Sequence, residues 1–176
     1  MLSKSLLLIV VALICAPSPY AFAGGVTNIR EVVNNSSKFV VKLTTFETKF
    51  GWEGAEKKTT GVITYGNTWS GDMWIPWADN AEQFRGHFMS IEIIELRPRR
   101  LTDICHTYIV YQRGEYVRAS FYGIIEQRGF GSLTSGSYEP NAPKVVGVAT
   151  SGGERRVVVF DKKDGNVGFR FETFER

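Results

Sequence analysis

Three of the chain's four tryptophans stand in one short segment, Trp69-Ser70-Gly71-Asp72-Met73-Trp74-Ile75-Pro76-Trp77, and Trp52 follows Phe50-Gly51 upstream. An indole joins a flat apolar face to one polar N–H, which suits it to three places. Exposed rings stack on sugar faces, with carboxylates and amides beside them bonding the hydroxyls. Rings can also lie at a lipid interface with Lys and Arg nearby, or pack into a core, where Trp is on average well buried. Pro76 keeps the segment out of a central strand. The candidate ligand-binding set is therefore Trp69, Trp74 and Trp77, with Asp72 and Asp79 as polar partners.

Catalytic chemistry has fewer residues to work with. The chain's two histidines are His87 and His106, so a three-histidine zinc site is excluded. No His-Glu-x-x-His, Cys-x-x-Cys or Gly-x-Ser-x-Gly occurs. Cys105 and His106 are a nucleophile and a base by type, but neighbours on a strand point to opposite faces and cannot meet. Cys105 reads as a core residue beside Ile104, Tyr108 and Ile109, and His87 as a half-buried histidine at a strand end. Asp161-x-x-Asp164-Gly165-Asn166 offers oxygen ligands without the Asp-x-Asp-x-Asp-Gly spacing of a calcium loop, so it reads as a hairpin turn. The glycines around Gly129-Phe130-Gly131 lack the Lys-Ser/Thr of a phosphate-binding loop. No motif asks for a cofactor or a metal. The enzyme alternative is a small hydrolase pairing His87 or His106 with an acid such as Asp103.

The elements that must position these residues are mostly strands. Residues 1–23 read as a cleaved secretory signal: Lys4, the apolar run Leu6–Ile14, Pro17 and Pro19, then Ala21-Phe22-Ala23. The expected location is secreted or extracellular, or periplasmic in a Gram-negative source. The apolar run is too short to cross a bilayer, and no second run resembles a transmembrane helix. Residues 24–176 then form a single domain, with Cys105 its one cysteine. Basic and acidic residues are nearly balanced (21 and 18 in the full chain). The basic ones are scattered, which argues against nucleic acid. Asn34-Asn35-Ser36 and Asn35-Ser36-Ser37 are overlapping glycosylation sequons.

Along the domain, Val, Ile, Thr and aromatics dominate, Gly punctuates, and no long segment keeps a 3.6-residue period. Val26–Val33 and Lys38–Phe46 read as an N-terminal hairpin around Asn34–Ser37. In His87–Arg97 the apolar phase changes at Ile93-Ile94, which predicts a β-bulge or a strand crossing between sheets. Ile104–Gln112 and Glu115–Phe121 read as a hairpin through Arg113-Gly114, and Arg155–Phe160 with Val167–Phe171 as another. Ala78–Phe84 suits one short helix capped by Asp79 or Asn80. The long glycine-rich loop Gly129–Pro143 is a second place to look for function. The expected fold is an all-β antiparallel sandwich, with a closed barrel as the alternative, of about nine or ten strands and little helix.

The opening, a strand followed by Asn34-Asn35-Ser36-Ser37 and Phe39-Val40-Val41-Lys42-Leu43, resembles the start of several secreted β-sandwich families: aegerolysins, actinoporin-like membrane-binding proteins and thaumatin-like proteins. The likeness is confined to that short stretch, and no functional residue is carried over from it. The functional expectation is a secreted, non-catalytic protein that binds a glycan or a lipid surface through its aromatic segment. A hydrolase, or a toxin-like protein oligomerising through strand edges, is the alternative.

Overall fold

The computed structural model describes residues 25–47, 55–97, 103–127 and 137–176; the expected signal segment, Trp52 and the glycines at 129–136 lie outside them. Nine strands and one helical turn are described. They run β1 (Thr27–Asn34), β2 (Phe39–Glu47), β3 (Ala55–Thr59), β4 (Thr68–Trp74), α1 (Ala81–Phe84), β5 (Phe88–Glu95), β6 (Asp103–Arg113), β7 (Tyr116–Gln127), β8 (Gly153–Asp161) and β9 (Val167–Thr173). A four-stranded sheet, ordered β4-β1-β8-β9, faces a five-stranded sheet, ordered β3-β2-β5-β6-β7. The fold is an all-β sandwich that does not close into a barrel. Pairing is antiparallel except between β1 and β8, which run parallel. No helix among the described residues is long and apolar enough to cross a membrane.

The core follows from alternation. Ile29 and Val32 of β1, Val157 and Val159 of β8, and Val167, Phe169 and Phe171 of β9 meet Val41 and Leu43 of β2 and Met89, Ile91 and Ile93 of β5 between the sheets. Each such side chain contributes about 1.5–3 kcal/mol through apolar area removed from water.

The expected N-terminal hairpin is not formed. β1 and β2 belong to different sheets, and Asn34–Ser37 is the corner between them. The polar residues that read as turn chemistry hold that corner. Asn34, fully buried, donates through Nδ2 to the carbonyls of Phe39 and Ile63, both at 2.9 Å, and accepts from the Ser36 N–H at 3.0 Å. Ser36 Oγ donates to Asp161 Oδ1 at 2.5 Å and accepts from the Phe39 N–H at 3.1 Å. Asp161, at the end of β8, also takes the Ser37 N–H and hydroxyl, and these bonds, the Ser36 one first, hold its carboxyl below the usual carboxylate range. Of the two sequons, only the one at Asn35 presents an exposed amide.

The expected bulge at Ile93-Ile94 is also absent. β5 pairs with β2 and β6 without a register shift at that point. Its apolar phase changes because the strand is buried on both faces. Met89, Ile91 and Ile93 face the inter-sheet core, while Phe88 packs with Phe46, Phe84 and Tyr111, and Ile94 with Val40 and Cys105. Register shifts occur instead at Ile29/Glu31, Thr45/Phe46 and Thr107/Tyr108.

Both expected C-terminal hairpins are present, β6–β7 and β8–β9. The helical turn is shorter than expected, beginning at Ala81. Asn80 caps it by accepting the Gln83 N–H at 2.9 Å.

The two sides of the sandwich are finished differently. On one, the segment following Ala142 stitches β7 to β9: the Val117 N–H donates to Ala149, the Ala119 N–H to Pro143, and the Val148 N–H to Phe171. On the other, the edges β3 and β4 come together, and the segment that joins them bonds to both sheets, Ile63 exchanging backbone bonds with Val41 of β2 and the Gly66 N–H donating to Asn34 of β1. There the Lys58 ammonium of β3 donates to the backbone carbonyl of Asp72 in β4.

Candidate functional site

That second seam holds the candidate site. Strand β4 lies at the edge of its sheet, and of its side chains Met73 alone is fully buried. The antiparallel register sets Trp74 opposite Asn28 and Met73 opposite Ile29. Alternation therefore sends Met73 inward and turns Trp74 and Asn28 to the outer face. Val26, Asn28, Lys58, Asp72 and Trp74 line an open depression of about 400 Å³. Trp74 is 37% exposed, a high value for so large an apolar ring.

A chain of ion pairs fixes the wall of the depression. Asp72 Oδ2 lies 3.1 Å from Arg30 Nη1, and Arg30 in turn grips Glu154 Oε1 through Nη2 at 2.7 Å and Nε at 2.8 Å. Arg176 Nη2 reaches the same Glu154 oxygen at 3.1 Å. Bonding to Arg30 first and Arg176 second holds the Glu154 carboxyl below the usual range, and Glu154 and Asp72 raise the Arg30 guanidinium. Exposed pairs of this kind contribute little stability. What they supply is orientation: one carboxylate oxygen of Asp72 is held by Arg30, and its side chain remains 57% exposed beside the indole.

The five residues expected to bind ligand divide into three groups. Asp72 and Trp74 share the depression. Trp69 sits opposite Val32 and packs half-buried against the inter-sheet core. Its ring lies over Gly71, where an added Cβ would stand 2.4 Å from it, so glycine at 71 makes room for the indole. Trp77 and Asp79 belong to the α1 end of the sandwich. Trp77 is half-buried and bridges Gln112, and the Asp79 carbonyl accepts the Tyr138 hydroxyl at 2.6 Å. That end is an aromatic cluster around Phe84, Phe88 and Tyr111, and burial pushes the Tyr111 hydroxyl up to about 12.

Lys58, Asn28 and Val26 were missed from sequence. Nothing local marks them, because β1 reaches Trp74 by pairing with β4, and β3 by the meeting of the two sheets' edges.

The groups proposed for catalysis are dispersed. Cys105 is fully buried with Val40 and Ile94, its Sγ 3.4 Å from Thr107 Oγ1, and burial pushes the thiol up. A thiol activated as a nucleophile is shifted the other way. His106 projects from the opposite face of β6, edge-on to Phe39 at 6.0 Å between ring centroids, and burial lowers it. Asp103, three positions away on the same strand, takes the face of Cys105 and accepts the Arg97 N–H at 3.0 Å. His87 Nδ1 lies 3.0 Å from the Gln83 carbonyl. Among the described residues no group of three or more His, Cys, Asp and Glu is placed to hold a metal ion. Comparison with family models, curated proteins and solved structures finds no match for this chain.

Proposed function

We propose that this chain is an exported, non-catalytic binding protein that takes a saccharide in the depression beside Trp74. The observation that carries the reading is the exposed indole of Trp74 set in one hollow with the carboxylate of Asp72, the amide of Asn28 and the ammonium of Lys58. A pyranose has an apolar C–H face and a rim of hydroxyls. The indole accepts the face, and acceptors and donors at its margin accept the rim. The hollow is shallow, which suits the end or side of a glycan chain. The N-terminal sequence pattern supports export, where glycans are met.

The test is titration of the purified chain and of Trp74→Ala with glycans. Truncating a central aromatic anchor weakens binding by about thirty-fold or more, roughly 2 kcal/mol, with an unchanged circular dichroism spectrum because Trp74 lies outside the core. Binding unaffected by Trp74→Ala overturns the reading. So does binding to phospholipid vesicles in place of glycans.

A further inference from the structure

The charges of the depression point further, to the kind of saccharide, and we infer that it is acidic: a carboxylate or sulfate on the sugar pairs with Lys58 while the ring rests on Trp74. This rests on the saccharide reading of the same hollow. The wall carries Asp72 and Lys58, backed by Arg30, Glu154 and Arg176. Asp72 is already neutralised by Arg30, and Arg30 and Arg176 share Glu154. Lys58 differs. Its described partner is the Asp72 backbone carbonyl, which carries no full charge. An ammonium has three donors, so two remain for a ligand. Among the described charged side chains of this wall, Lys58 is the cation whose described partner is not a carboxylate, and it lines the hollow with the indole.

That carbonyl bond also fixes where the Lys58 ammonium stands. It draws the long Lys58 side chain across the seam from β3 to β4, so the ammonium is held at the rim rather than left to range through solvent. A charge-assisted bond to a ligand carboxylate or sulfate then forms with part of the ordering already done. A neutral sugar uses the same indole and hydroxyl contacts but gains nothing from the cation.

A printed array of matched neutral, uronate, sialylated and sulfated glycans, probed with the whole chain at low and high salt, tests this. The acidic members are expected to bind in preference, and their binding to weaken as salt screens the pair. Lys58→Gln is expected to reduce acidic-glycan affinity about ten-fold, and Lys58→Arg to retain most of it. The uronate, sialylated and sulfated spots distinguish which anion is read. Equal binding of neutral and acidic members, lost in Trp74→Ala, overturns the inference and leaves the saccharide reading standing. An array on which nothing binds overturns both.

Discussion

Asn34→Ala is expected to lower the unfolding free energy by about 3 kcal/mol, an effect outside the range of surface substitutions. The residue is fully buried at the corner where the chain leaves one sheet for the other. Its amide satisfies the carbonyls of Phe39, at the start of β2, and Ile63, and its oxygen satisfies the Ser36 N–H. Alanine leaves two buried acceptors and a donor without these partners, each at a cost of about 1–3 kcal/mol before local relaxation. Aspartate keeps the acceptor but buries a charge against two carbonyls, and is expected to be worse still. Urea denaturation followed by fluorescence checks this. The midpoint should fall with little change in slope, and a loss under about 1 kcal/mol contradicts the role given to the corner.

Gly147→Ala should be comparably severe, at about 3 kcal/mol or more, for a different reason. Gly147 has φ +87°, and a Cβ there would stand 2.1 Å from the backbone oxygen of Phe171. Neither the left-handed conformation nor the clash with main chain can be relieved by turning a side chain. To make room, the segment must withdraw from β9, breaking the bonds from Val148 to Phe171 and from Phe171 to Val146 that close this side of the sandwich. Val145 and Phe171, 5% and 1% exposed, then lose cover. Gly61→Ala is the matched control. Gly61 has φ +68° with nothing within 4 Å of the added atom, so it isolates the backbone strain, about 1 kcal/mol. Thermal unfolding of both variants separates strain from clash, and equal losses contradict the stitched seam.

The parts of the fold legible in the sequence are those whose cause is local. Val167, Phe169 and Phe171 alternate along β9 and are all buried, and the β6–β7 and β8–β9 hairpins follow from turn residues beside paired strands. The pairing of β1 with β8 was not legible, since it joins Thr27 to Gly153 and no neighbouring residue encodes it. The corner at Asn34 was misread for the same reason: polar residues that suit a hairpin turn equally suit a crossing, and distant partners, Ile63 and Asp161, decide between them. In β5 a central position buried both faces, so its two apolar phases signalled two cores and no bulge.

The candidate site divides along the same line. Trp69, Trp74 and Trp77 are alike as residue types, but the pleat of β4 and its shifted pairing with β1 send Trp69 toward the core and Trp74 outward. Beyond the strand's end, Trp77 is stitched to Gln112. Composition identifies the segment, and only the register chooses the ring.

That choice is the central claim, and ligand protection of individual indoles tests it most directly. The chain is oxidised with limiting N-bromosuccinimide, alone and with the glycan that binds best, and each tryptophan is quantified by peptide mass spectrometry. Trp74 is expected to be oxidised readily in the free chain and protected in the complex, with Trp69 and Trp77 reacting alike in both. Protection of Trp69 or Trp77 instead, or no protection of Trp74 at saturating glycan, contradicts the placement of the site.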